Sequence, residues 1–85
     1  MSSNPHTQNL IVMANRIGQF FESMPDRAEA LAGAADHIRK FWEPRMRAEF
    51  LQQLDAEAGQ ALRPFMREAV MAHRARLSEA LPPAP

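Results

Sequence analysis

The side chains best suited to specific contacts are concentrated in one segment, residues 37–47, which reads HIRKFWEPRMR. This segment carries five potential cations against one anion, and it contains the only tryptophan of the chain. Tryptophan and arginine dominate the binding energy of many protein–protein interfaces, whereas cations interleaved with aromatic rings also suit stacking on nucleic acid. A third interpretation is structural, because Phe41 and Trp42 would also form a corner of the core behind a solvated basic rim.

Several side chains of this segment, and one beyond it, are candidates for contacting a protein partner. Arg47 shares a predicted helix face with apolar residues, where a lone charge needs a partner. His73 lies within the apolar stripe of the last predicted helix, as either a hydrogen-bonded core histidine or a polar anchor in an interface. The candidate partner-binding residues are His37, Arg39, Lys40, Phe41, Arg45, Arg47 and His73.

The residue types needed for catalysis or metal binding are missing or unfavourably spaced. The chain has no cysteine, no HExxH motif and no glycine-rich phosphate loop. Its histidines, His6, His37 and His73, are too far apart along the chain for a helical metal site, which needs two ligands about one turn apart. The carboxylates of Asp55 and Glu57 are two residues apart, so on a helix they face different directions and cannot act as a pair. We therefore expect no catalytic, cofactor-binding or metal-binding residue, and no small-molecule substrate, in this chain.

Prolines divide the chain into amphipathic helices that would position the candidate residues. The chain contains three valine or threonine residues and no tyrosine, a composition that disfavours β-sheet. Pro25 ends a first helix. Asp26 caps a second helix and, with Glu29 three residues later, forms a capping-box arrangement. Pro44 and Pro64 each begin a further helix, the third and the fourth. The predicted helices span about residues 7–23, 26–43, 44–59 and 64–77. The expected fold is all-α, a small bundle of about four short helices with a disordered C-terminal tail.

The apolar periodicity of these helices predicts which side chains form the core. At about 100° per residue, Trp42 lies centrally on the inner face of the second helix, with Phe41 and His37 at its border and available to another chain. At the start of the third helix, just after Pro44, the Arg45 side chain is expected to project outward. The predicted core consists of Leu10, Met13, Ile17, Phe20, Phe21, Leu31, Ile38, Trp42, Phe50 and Leu54.

Length and charge narrow the class of protein further. At 85 residues and 9.6 kDa the chain has the size of one small domain, which we place at residues 9–79 between a flexible N-terminus (1–8) and a disordered proline-rich tail (80–85). Ten basic and ten acidic residues cancel, which argues against a general nucleic-acid binder. The sequence shows neither a membrane-spanning stretch nor a signal peptide, so we expect a cytoplasmic protein without a membrane partner.

Two short motifs in a fixed order carry a resemblance to a known family. The first contains Asn9-Leu10, the run from Met13 to Phe21 (MANRIGQFF) and Met24-Pro25-Asp26, and the second is the segment 37–47. Together they resemble the delta subunit of NAD-dependent, molybdenum-containing formate dehydrogenase, over about residues 9–77. Further along, Pro64 and the triplet Arg67-Glu68-Ala69 are similar to the final helix of that family.

The resemblance implies a small accessory subunit of a cytoplasmic complex that oxidises formate to carbon dioxide. In that complex the large (alpha) subunit carries a molybdenum or tungsten pterin cofactor, and iron–sulfur clusters pass the electrons to FMN and NAD. The resemblance implies that this chain carries no cofactor, binds the alpha subunit and supports its assembly or stability. Two forms of this role stay open, a resident subunit and an assembly chaperone that touches the molybdenum cofactor transiently. The alternative from another class is a small helical nucleic-acid-binding protein that uses the basic and aromatic side chains of residues 37–47.

Overall fold

The computed structural model describes residues 5–79, apart from the side chains of residues 5–9 and of Ala58. In this range the chain is all-α, as predicted, with no strand. The elements are α1 (Pro5–Glu22), α2 (Arg27–Phe41), α3 (Pro44–Leu54), a 3₁₀ helix (Glu57–Ala61), α4 (Pro64–Ala72) and α5 (Arg74–Leu77). The expected tail at residues 80–85 and the first half of the expected flexible N-terminus lie outside the described residues. Residues 5–8 belong to α1, which begins slightly earlier than the predicted start near Thr7.

The helix boundaries follow the local signals of the sequence. The backbone N–H of Glu29 donates to the Asp26 carboxylate over 3.1 Å, so Asp26 caps α2 as predicted. Pro44 and Pro64 occupy the first turns of α3 and α4, where a missing N–H costs no hydrogen bond. The third helix is shorter than predicted. It ends at Leu54, and a separate 3₁₀ helix, Glu57–Ala61, contains Gly59, the residue at which α3 was predicted to end.

The second helix is the centre of the molecule, since it packs against α1, α4 and α5. Its small residues Ala30, Ala34 and Ala35 are fully buried and allow the neighbouring helices to approach closely. Ile38 is fully buried on the same helix, and Trp42 follows it with its ring 5.3 Å from that of Phe50 in an edge-to-face arrangement. The largest fully buried side chains are Phe50, Leu10, Ile38, Met66, Leu77 and Val70.

The predicted core is wrong for two residues of α1. Phe20 is 71% exposed and Met13 is 36% exposed, whereas Ile11, which the prediction omitted, is buried. The buried side of α1 is centred on Ala14 and Gly18, and Phe20 lies about 120° from Ala14 around the helix. A Cβ atom on Gly18 would lie 2.8 Å from the Met66 sulfur, so the absence of a side chain there lets α4 pack on this side.

The fourth predicted helix does not run continuously to Leu77. It stops at His73, whose φ of −120° and ψ of 26° are not helical, and the chain restarts as α5. The His73 carbonyl accepts hydrogen bonds from the backbone N–H groups of Arg76 and Leu77, at 3.0 and 3.2 Å. Leu77 is fully buried at the end of α5, and His73 is a half-buried residue of the break rather than a member of a helical stripe.

An exposed aromatic row and its groove

Four rings from α1 and α2 form a continuous row on the surface. Phe20 and Phe21 meet edge-to-face at 5.0 Å between ring centres, Phe21 lies 6.1 Å from His37, and His37 lies 4.8 Å from Phe41. The two ends of this aromatic row, Phe20 and Phe41, are 71% and 72% exposed. Exposed aromatic rings in contact with one another are unusual on a monomer surface and are typical of an interaction site.

Beside the aromatic row lies an open groove of about 370 Å³. Its lining residues come from both helices, and apart from Arg16 and His37 they are apolar. They are Arg16, Ile17, Phe20, Phe21 and His37. The groove therefore offers an apolar floor with one permanent cation and one imidazole, and no carboxylate lines it.

Gly33 on α2 allows this arrangement to form. A Cβ atom at Gly33 would lie 2.8 Å from the nearest atom of the Phe21 ring. Because the glycine has no side chain, the Phe21 ring lies directly on α2 and connects Phe20 on one helix with His37 on the other. Gly33 therefore permits close packing of α1 on α2.

Of the predicted partner-binding residues, the structure places two in the aromatic row and shows that two cations next to them are paired. His37 and Phe41 are members of the row. Arg39 contacts the Glu79 carboxylate at 3.0 Å, and Lys40 lies 3.8 Å from the Asp36 carboxylate, which Arg76 also contacts. Pairs this exposed contribute little to stability, so these side chains remain accessible while their charges are partly balanced.

The other three predicted residues have different surroundings. Arg45 is exposed and enters no hydrogen bond or ion pair with the side chains that the structure describes. Arg47 is 3% exposed, and its guanidinium donates to the carbonyl oxygens of Leu77 and Glu79 inside the molecule. Burial, with Arg39 nearby, lowers the pKa of Arg47 from its ordinary value. His73 lies at the break between α4 and α5 and does not line the groove.

The sequence prediction assigned three residues of this site to the core, Ile17, Phe20 and Phe21, and Phe20 is the one of them that the structure leaves exposed. A signal for its exposure was present in the width of the apolar stripe of α1. Met13, Ile17 and Phe20 follow a three–four spacing, while Leu10, Ala14 and Gly18 mark a second apolar side of the same helix. A single neighbouring helix cannot cover both apolar sides of α1. Gly18 indicates which of the two is packed, because a residue without a side chain allows another helix to approach closely.

The part of the chain that the structure describes contains no group of three or more histidine, cysteine, aspartate or glutamate side chains arranged to hold a metal ion. Within the same residues, no helix has both the length and the apolar character needed to cross a bilayer.

Comparison with protein-family models matches residues 9–70 to the family described as NADH-dependent formate dehydrogenase delta subunit FdsD. The matched residues include every residue of the aromatic row and of the groove. No curated protein and no solved structure matches the chain significantly.

Proposed function

Because the chain belongs to the family of NADH-dependent formate dehydrogenase delta subunits, we propose that it is a non-catalytic accessory subunit that binds the large, cofactor-carrying alpha subunit. In this proposal the chain supports the assembly or stability of the alpha subunit and leaves formate oxidation and electron transfer to its partners. The proposal includes a cytoplasmic location. The observation that carries it is the match of the family model to residues 9–70 of the 85-residue chain.

The surface of the chain supports a role in binding a protein. Phe20 and Phe41 together expose two large rings that the chain's own core does not use. Burying a phenylalanine side chain is worth about 1.5–3 kcal/mol, so a partner that covers both gains substantial binding energy. We propose that the aromatic row is the centre of this interface and that Arg45 and Lys40 contribute at its edge. Buried Arg47 and distant His73 are no longer part of the proposed surface.

The chemistry of the chain supports placing the cofactors in its partners. A chain without cysteine has no thiolate for an iron–sulfur cluster. The molybdenum pterin cofactor, the clusters, FMN and NAD are accordingly assigned to the other subunits. The groove residues offer one arginine and one imidazole among apolar side chains, a composition suited to a protein contact.

The nucleic-acid alternative depends on the basic side chains of residues 37–47. Arg39 and Lys40 are paired with carboxylates, and Arg47 is buried. Arg45 is the cation of this set that is both exposed and unpaired within the described residues. One such cation provides little counterion release, and the net charge of the chain is zero. No observation on the structure favours this alternative.

The proposal is tested by producing a tagged alpha subunit with and without this chain and purifying it through the tag. The expected result is that the chain copurifies and that the alpha subunit made with it contains more molybdenum and oxidises more formate per mole with an artificial electron acceptor. A one-to-one ratio in active enzyme indicates a resident subunit, whereas a chain found only on enzyme lacking molybdenum indicates a chaperone. If the chain does not copurify with either form, and molybdenum content and activity are the same without it, the proposed function is wrong.

A further inference from the structure

The outer side of α1 has the spacing of a helix that packs against another helix. Met13, Ile17 and Phe20 are separated by four and three residues, so they lie on one side of α1. Met13 and Phe20 are exposed and Ile17 is half-buried. This is the three–four spacing with which helices interlock their side chains, and it extends over about 10 Å of helix at 1.5 Å per residue.

A second wall turns this side of α1 into a groove. His37 on α2 lies opposite the α1 residues of the lining and is linked to them through the Phe21 ring. Phe41, one turn further along α2, contacts His37 but does not line the groove. The volume of about 370 Å³ is at the lower end of the range for ligand pockets, about 300–1,000 Å³, and the groove is open on its outer side. A groove between two helices with these dimensions suits the apolar side chains of a docking helix.

The charges of the groove indicate the chemistry of the segment that fits it. Arg16 lines the groove, is exposed, and forms no ion pair within the described residues. His37, on the opposite wall, is the other titratable group of the lining, and no carboxylate is present there. A matching segment therefore carries acidic side chains beside its apolar ones, because a charge without an opposite partner gains nothing from being covered.

We propose that the groove binds an amphipathic helix of the alpha subunit, with a large apolar side chain between Ile17, Phe20 and His37 and a carboxylate paired with Arg16. This inference rests on the proposed function and adds to it the place and the chemistry of the contact. A second copy of the chain is the poorer occupant. A two-fold interface would set the same groove against itself, with Arg16 of both copies and no carboxylate among the lining residues.

The charge pairing is tested with variants of Arg16 in a titration against the purified alpha subunit. We expect Arg16→Glu to weaken association by about tenfold or more and Arg16→Lys to weaken it by less, since lysine keeps the charge. Arg63→Glu is the matched control: Arg63 is exposed, its side chain has no ion pair within residues 5–79, and it lies at the start of α4. Equal affinity of Arg16→Glu and Arg63→Glu would overturn the charge pairing.

The apolar contact is tested with Phe20→Ser, and Met71→Ser serves as control because Met71 is also exposed, at 56%, but lies on α4. We expect Phe20→Ser to lose about tenfold or more in affinity and Met71→Ser to keep the affinity of the unmodified chain. Both residues are exposed, so the helical signal in circular dichroism is expected to stay the same for both variants. If the chain binds the alpha subunit and none of these variants changes that affinity, the groove proposal is wrong while the proposed function stands.

The occupant is identified by replacing Phe20 with the photo-crosslinking residue p-benzoylphenylalanine in the assembled complex. The supporting result is a crosslink, located by mass spectrometry, to a segment of the alpha subunit with a carboxylate within one helical turn of an apolar residue. A crosslink only to a second copy of the chain, or to a segment without acidic residues, would overturn the inference. A chain that does not associate with the alpha subunit at all refutes the proposed function itself, which the copurification experiment shows separately.

Discussion

The Nη1 atom of Arg47 on α3 donates a hydrogen bond to the carbonyl oxygen of Leu77, 2.9 Å away at the end of α5. The same atom donates to the carbonyl oxygen of Glu79 at 3.0 Å. Arg47 is 3% exposed, and its Nε atom is buried without a hydrogen-bond partner. The charge that the sequence suggested would seek an external partner is thus directed at the chain's own carbonyl groups, and it ties the last described turn to the middle of the molecule.

Replacing Arg47 is expected to destabilise the fold rather than the interface. Arg47→Ala leaves a cavity and removes donors from two carbonyl groups, which we expect to cost about 2–4 kcal/mol of unfolding free energy in urea. Arg47→Met keeps more of the volume and removes the unpaired buried Nε, so its loss is expected to be smaller. An Arg47→Ala chain with unchanged stability that no longer binds the alpha subunit would instead place Arg47 in the interface.

Trp42 and Phe41 are neighbours in sequence with opposite environments, 6% and 72% exposed. We expect Trp42→Ala to lower the unfolding free energy by about 3–5 kcal/mol, as a large-to-small change in the core does. Phe41→Ala combined with Arg45→Glu is expected to leave the helical signal and the thermal midpoint nearly unchanged and to weaken association with the alpha subunit. Thermal melts and a pull-down measure both effects. The reverse pattern would show that the two aromatic residues have exchanged roles.

Gly33→Ala tests the close contact under the aromatic row. Alanine raises helix propensity by about 1 kcal/mol, but its Cβ would lie 2.8 Å from the Phe21 ring. We expect the ring to be displaced and the net unfolding free energy to fall by about 1–2 kcal/mol, in the range of overpacked sites. Adding Phe21→Leu is expected to recover part of this loss, which a double-mutant cycle by urea unfolding measures. Strict additivity of the two substitutions would contradict the contact.

The pair between Asp55 and Arg74 predicts how stability changes in acid. The Asp55 carboxylate accepts hydrogen bonds from two Arg74 nitrogens at 3.0 and 2.7 Å, and these bonds lower the pKa of Asp55 from its ordinary value of 3.8. A carboxyl whose pKa is lower in the folded state stabilises the fold above its unfolded pKa and loses that contribution as the pH falls through the folded value. The contribution is therefore present at neutral pH and disappears below about pH 4.

We expect Asp55→Asn to be less stable than the unmodified chain at pH 7 and nearly equal to it at the lowest pH at which both fold. Urea unfolding measured across this pH range provides the comparison. Glu57→Gln is the control, because Glu57 is an exposed carboxylate two residues away with no ion pair within the described residues. A stability difference for Asp55→Asn that does not depend on pH would show that the pair contributes through something other than the carboxylate charge.

The starts of α2, α3 and α4 were determined by the sequence itself. Pro44, Pro64 and the Asp26 cap act on the backbone within a few residues, so their effects do not depend on distant partners. The aromatic and basic composition of residues 37–47 is also a local feature of the sequence, and the contact surface that it predicts stays a prediction. The family motifs are also sequence features, and the family match to residues 9–70 confirms them.

Which side of α1 faces inward was decided by the tertiary structure. The first helix has two apolar sides, and periodicity alone does not distinguish them. The contacts of Gly18 with α4 and of Gly33 with Phe21 depend on the absence of a side chain at the point where two helices cross, and these contacts leave Phe20 outside. Arg47 likewise finds its acceptors 30 and 32 residues away, because the break at His73 redirects the chain. Such choices depend on how the helices fit together in space, which the apolar periodicity of one helix does not encode.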